Sequence, residues 1–285
     1  MKRLILTFDG GGVLGIGPAA FMSAFVRSGG VLAPDAVAGT SAGAILAACR
    51  AVGMPWRQVV ADFQKMAPEI FTAPPWRWRL DPRKPKYDGR GLVAALRRVF
   101  GDTRVCNTEI PIFITAMDYT RGRPKVWDSG DSDFLWYAVA ASCSAPTYFP
   151  PIDGLVDGGL VANSPAMVAL AGAVGKLRWG LPNCWILSMG TNGVFWHDPR
   201  VGENTSLVEW MQILLKNQTR GNEEMAEYQA RTLLEGRLYR VEPVLTKNYP
   251  LDAVSEMAGY RQLWEGLYRA RADELVEFLT RFRGG

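Results

Sequence analysis

Residues 3–15 read RLILTFDGGGVLG, and the fold follows from them. Leu4 to Phe8 is a short apolar run closed by a glycine cluster, which predicts a buried strand entering a tight turn. Beyond the turn, AAFMSAFV reads as a helix. The same order then returns. Asp35 to Ala38 reads as a strand, GTSAG (39–43) as a turn, and Ala44 to Val52 (AILAACRAV), made of good helix formers, as a buried helix. Strand, glycine turn and helix, repeated, predict an α/β fold on a mostly parallel sheet flanked by helices.

Working outward, further strands are expected at Ile112 to Ala116, Lys125 to Asp128, Ile152 to Val156 and Cys184 to Met189. Leu135 to Cys143 reads as a helix stopped by the prolines of SAPTYFPP (144–151). Leu207 to Leu234 and Val254 to Phe282 have helical apolar spacing. In the last of these, Met257, Tyr260, Trp264, Leu267, Leu275, Phe278 and Phe282 fall mostly on one face and predict core packing. With no internal repeat or low-complexity tract, the expectation is one domain over 1–285, its core motifs within 3–192 and a helical C-terminal part over 203–285.

The chain has 285 residues, 48% hydrophobic and 21% charged, which supports a sizeable core and excludes global disorder. A net charge of +4 is too small to argue for nucleic acid, and none is expected as a partner. That whole excess sits in WRWRLDPRKPKYDGR (76–90), a proline-broken stretch expected to be a loop. Its Trp76, Arg77, Trp78 and Arg79 would suit a membrane interface, and a solvated loop with core-packed tryptophans explains them equally well. Cys49, Cys106, Cys143 and Cys184 lack the spacing of a metal or redox motif, so no metal is expected and the thiols should be reduced and buried. Neither a signal peptide nor a membrane span is legible, so a cytoplasmic protein is expected, with peripheral membrane contact left open.

Three constellations carry chemistry. Gly39-Thr40-Ser41-Ala42-Gly43 matches G-x-S-x-G, in which a serine on a sharp strand-to-helix turn projects its hydroxyl. A small-residue turn capping a helix would read the same. Asp9-Gly10-Gly11-Gly12, with Gly15 beyond, offers bare backbone N–H groups to an anion. That anion could be an oxyanion or a pyrophosphate, since Gly10, Gly12 and Gly15 also fit G-x-G-x-x-G and Asp35 lies 20 residues past Gly15, where a ribose-binding acid is expected. A non-enzymatic dinucleotide-binding module is therefore a competing reading. Asp157-Gly158-Gly159 places a carboxylate at a strand end. A serine nucleophile needs a base, and the one histidine, His197, would complete the order Ser41, Asp157, His197 of a hydrolase triad. Direct transfer to Asp157 is the alternative; Asp9 is tied to its glycine turn. An aspartate near the ordinary pKa of about 3.9 would be a weak base.

DGGGVLG, GTSAG and DGG in this order, with SAPTYFPP just before the last and KYDGRGL (86–92) and ILSMGT (186–191) besides, resemble the patatin-like phospholipases, or lipid acyl hydrolases. The resemblance runs from residue 3 to about 192 and fades beyond. It implies the patatin-like α/β fold, Ser41 as nucleophile and Asp157 as base of a Ser–Asp dyad, and Gly10, Gly11 and Gly12 as the oxyanion loop. It also implies no cofactor, no metal and no catalytic histidine. The implied activity is hydrolysis of acyl esters of membrane phospholipids or lysophospholipids. Some bacterial members are gated by a nucleotide second messenger or a partner and attack the cell's own membrane, so a small-molecule activator is a further implication.

Overall fold

A strand covered on both faces must be apolar throughout, and β1 (Arg3–Phe8) is buried at every residue after Arg3. It is the pivot of the computed structural model, which describes residues 1–72, 84–191, 207–245 and 249–284, with the side chains of 207–216 left aside. β1 pairs in parallel with β2 (Ala36–Thr40) on one side and β6 (Cys184–Met189) on the other. The parallel run extends through β3 (Ile112–Asp118) at one end and β7 (Leu238–Val241) at the other. β4 (Arg123–Trp127) is an antiparallel edge next to β3, and the seven-stranded sheet is completed by β5 (Leu155–Asp157), also antiparallel to β3.

Side chains alternate between two cores, as the period of a strand requires. Leu4, Leu6 and Phe8 point into the larger core and Ile5 into the smaller; Ile112, Ile114 and Ala116 repeat this against Phe113. The larger core is closed by α1 (Ile16–Arg27), α2 (Ala42–Ala51), α3 (Trp56–Ile70), α4 (Arg90–Phe100), α5 (Leu135–Ser142) and α9 (Met257–Arg283). The smaller is closed by α7 (Ala166–Gly175), which follows the short α6 (Gly159–Ala162), and by α8 (Leu207–Leu234). The face expected for the last helix is the one α9 buries: Tyr260 and Trp264 pack on α1, with Trp264 edge-on to Phe21. Removing so large a buried side chain, as in Trp264→Ala, should cost about 3–5 kcal/mol.

Several sequence expectations are corrected. Helices α3, α4, α6 and α7 and strand β7 are not among the sequence expectations, and β5 is shorter than expected and shifted toward Asp157. Cys106 is exposed, unlike the other three cysteines, because it lies on the surface turn between α4 and β3. Asp35 precedes β2 and binds Arg3 (2.7 Å) and the Leu4 N–H (2.8 Å), so it sits at the end of the sheet opposite the glycine loop that follows β1. It cannot reach a ribose there, which removes the dinucleotide reading.

Candidate active site

Ser41 sits between β2 and α2 with φ 54° and ψ −127°, a left-handed conformation that costs a non-glycine residue on the order of 1–3 kcal/mol. The reversal is that tight because α2 begins hard against the sheet. A Cβ on Gly39 would strike the Gly43 carbonyl, and one on Gly43 the Phe8 carbonyl. Both glycines of G-x-S-x-G are thus required by close backbone approach.

Asp157 arrives from the opposite direction. β2 pairs along β3 as far as Thr40 opposite Thr115; on the same edge β5 takes over, antiparallel, with Asp157 opposite Ala116. The two strand ends meet head-on one register step apart, and Ser41 Oγ donates to Asp157 Oδ2 at 2.6 Å. Asp157 Oδ1 accepts the Gly159 N–H at 2.7 Å. Burial pushes this carboxyl up to about 6, against the opposing pull of the Ser41 and Gly159 hydrogen bonds. Asp157 is therefore a stronger base than an ordinary aspartate.

A clamp fixes both groups. Ser142 Oγ accepts the Ser41 N–H (2.8 Å), the Ser142 carbonyl accepts the Gly158 N–H (3.3 Å), and the Ser144 carbonyl accepts the Asp157 N–H (3.0 Å). Sequence reasoning missed Ser142 and Ser144; their signal was the pair of small hydroxyl residues in SCSAP where α5 stops.

The glycine loop lies beside the serine: a Cβ on Gly10 would come within 3.2 Å of Ser41 Cβ. The Gly10 N–H is already bonded to the Asn163 carbonyl (3.1 Å), and its own carbonyl accepts from Thr191 Oγ1 and Asn163 Nδ2. Of the three expected donors, the Gly10 amide is thus engaged. Those of Gly11 and Gly12 have no acceptor among the described residues. Gly15 packs on Phe63 and Ala42, and Gly158 on Thr115.

Asp9, the acid of this loop, is buried and bound by Arg240 Nη2 at 2.7 Å. Burial works against the charges of both partners, and each stabilises the charge of the other. Arg240 also holds Ser188 Oγ (3.0 Å), Glu227 (3.1 Å) and Glu242 (3.1 Å). Glu223 of α8 accepts from Asn163 Nδ2, and burial together with the Asp9 charge pushes it up to about 8. Residues from α8 and β7 therefore buttress the glycine loop from behind.

Ser41 opens on an apolar cavity of about 40 Å³ lined by Gly12, Ile45, Phe63, Met66, Phe149 and Leu251, among others. Trp76, Arg77, Trp78 and Arg79, and also His197, lie outside the described residues. Within the described part of the basic stretch, Lys86 pairs with Asp252 and Arg90 with Asp88. No cluster of three or more His, Cys, Asp or Glu that could hold a metal occurs among the described residues, and no helix there is long and apolar enough to cross a membrane.

The family model described as patatin-like phospholipase matches residues 6–170, which takes in the glycine loop, Ser41 and Asp157. Patatin-like protein 1 of Arabidopsis thaliana is 30% identical over 241 residues, covering 66% of this chain and 58% of that protein. A protein of Vibrio cholerae named cGAMP-activated phospholipase is 29% identical over 188 residues, covering 56% of this chain and 53% of that protein. The crystal structure of VipD from Legionella pneumophila aligns with TM-score 0.48 and 12% identity over 95% of this chain and 67% of that one. The chain spans about three fifths of the length of the Arabidopsis relatives it matches (58% and 59%). The family match covers more than half of the chain, and the protein belongs to the patatin-like phospholipase family.

Proposed function

We propose that the protein hydrolyses acyl esters of membrane phospholipids or lysophospholipids through a Ser41–Asp157 dyad. The observation that carries this reading is the 2.6 Å hydrogen bond from Ser41 Oγ to a buried carboxylate with no cation among its partners in the described residues. As Oγ attacks the ester carbonyl carbon, its proton passes to Asp157 Oδ2. The carbonyl oxygen becomes an oxyanion, held by the Gly11 and Gly12 N–H groups and favoured by the opening turn of α2. Each such donor contributes roughly 3–4 kcal/mol to the transition state. Collapse expels the alcohol, which takes the proton from Asp157. Water then loses a proton to Asp157 and attacks the acyl-enzyme; on collapse Ser41 Oγ leaves with that proton, which frees the fatty acid and restores the dyad.

The cavity at Ser41, about 40 Å³, is far smaller than the roughly 300–1,000 Å³ of ordinary ligand pockets. A bound acyl chain therefore displaces part of the lining. Leu251 lies outside the strands and helices, as Tyr148 and Phe149 do; its carbonyl accepts the Val13 N–H at 2.8 Å, and neighbouring Asp252 is held by Lys86 and Tyr87. Purified wild type should release fatty acid from mixed phospholipid micelles and Ser41→Ala should not. Equal release by the variant would remove the reading.

A second reading keeps this chemistry under the control of a nucleotide signal. The name of the Vibrio cholerae relative favours it. A cyclic dinucleotide added to the purified protein should then raise phospholipid hydrolysis; an unchanged rate across micromolar to millimolar dinucleotide sets this reading aside.

A further inference from the structure

Two family-like motifs, KYDGRGL and SAPTYFPP, have no part in the dyad or the glycine loop. In the structure they lie together. Lys86 N–H donates to the Thr147 carbonyl and Tyr87 N–H to the Tyr148 carbonyl, both at 2.8 Å. The join carries an aromatic triad: Phe71, Tyr87 and Phe149, with ring centroids 5.4–5.8 Å apart. Such contacts fix ring positions beyond simple burial. Phe149 is thus packed against two other rings.

Phe149 and Leu92 line the cavity of Ser41. The same two residues also line a second cavity of about 420 Å³ walled by Val93, Ala94, Pro150 and Ile152. That volume falls in the range of ligand sites, and the walls are mainly apolar. Its polar members are Asp88, Arg90, Arg97 and Ser144. Arg90 is paired with Asp88, whereas the Arg97 guanidinium stacks over the Trp136 ring at 4.1 Å. Ser144 ties the wall to the dyad, since its carbonyl holds the Asp157 N–H.

We propose that this second cavity seats the non-scissile acyl chain of a diacyl glycerophospholipid whose other ester lies at Ser41. The inference rests on the hydrolase reading above and narrows its substrate class from any acyl ester to diacyl lipids. The two chains of such a lipid leave adjacent carbons of one glycerol, and here two apolar cavities adjoin, sharing Phe149 and Leu92 in their linings. A chain leaving the carbonyl at Ser41 lies in the first cavity, whereas the neighbouring chain enters the second. The apolar lining supplies the driving force at roughly 0.8 kcal/mol per buried methylene. Arg97 at the same cavity complements a phosphodiester charge.

The test compares kcat/KM for a diacyl phosphatidylglycerol and for its monoacyl counterpart in the same detergent micelles. Ala94 is exposed on α4, so Ala94→Trp fills the cavity without burying new bulk in the core. The diacyl-to-monoacyl ratio should fall at least tenfold. Ile152→Trp, on the opposite wall, should lower it likewise and serves if the first variant fails to fold. A ratio unchanged within twofold overturns the proposal, whether both activities persist or both fall together; the latter outcome assigns the cavity to the scissile chain. Wild type that cleaves only the monoacyl lipid also overturns it. Wild type that cleaves neither lipid counts against the hydrolase reading instead.

Discussion

Asp9 and Asp157 occupy matching local settings. Each stands at the C-terminal end of a strand, each is followed by two glycines, and each is almost wholly buried, at 1% and 6% exposure. They differ in what faces them. Asp9 meets the Arg240 guanidinium at 2.7 Å, while among the described residues Asp157 meets the Ser41 hydroxyl and a backbone N–H. Burial raises the carboxyl of the first, against the opposing pull of the Arg240 charge and hydrogen bond. The second has no counter-ion among the described residues, and burial raises its pKa to about 6. The comparison teaches that the candidate base is marked by the lack of a counter-ion, which a D-G-G motif does not reveal.

The largest expected effects bear on activity. Ser41→Ala and Asp157→Asn should each lower kcat by about 10³-fold or more, because groups acting as one unit fail together. Asp9→Asn should leave far more of kcat, and steady-state assays of the three variants make the contrast. Next in size is Arg240→Met. It strands Asp9 beside Glu227 and Glu242 and should cost about 3–5 kcal/mol in urea unfolding.

Asp157→Asn should do the reverse. The wild-type carboxyl has a folded pKa of about 6 against about 3.8 unfolded, so the folded state binds more protons between those values. Its contribution to stability is present below about pH 3.8 and is lost as pH rises through about 6, on the order of 3 kcal/mol in all. Asparagine escapes that loss and forfeits about 1 kcal/mol in one mispaired hydrogen bond. Thermal melts should therefore show the inactive variant more stable than wild type at pH 7, by roughly 1–2 kcal/mol, with no advantage at pH 4. Ser142→Ala removes the acceptor of the Ser41 N–H, and kcat should drop about tenfold with KM little changed. The smallest effect is expected of Glu223→Gln. That carboxyl, pushed up to about 8, is largely protonated at pH 7, so stability there should move by less than about 0.5 kcal/mol.

The sheet, the elbow and the three glycine motifs were legible because each leaves a local mark: a five-residue apolar run, or glycines where backbones touch. What escaped the sequence was non-local. Arg240 lies 231 residues from Asp9, on a four-residue strand whose arginine reads as a solvent-facing charge. Ser142 looked like an ordinary helix end. The three residues of β5 are too few to show periodicity, yet their antiparallel register on β3 is what brings Asp157 to Ser41. Asp35 shows the opposite error: the right spacing for a ribose acid at the wrong end of its strand.

The most direct test of the central claim is the rate at which a fluorophosphonate probe labels Ser41 as a function of pH, with the modified residue located by mass spectrometry. Labelling should occur at Ser41, rise to a plateau with a midpoint near pH 6, where Asp157 loses its proton, and become slow and flat with pH in Asp157→Asn. Labelling elsewhere, or an Asp157→Asn profile that matches wild type, would contradict the dyad.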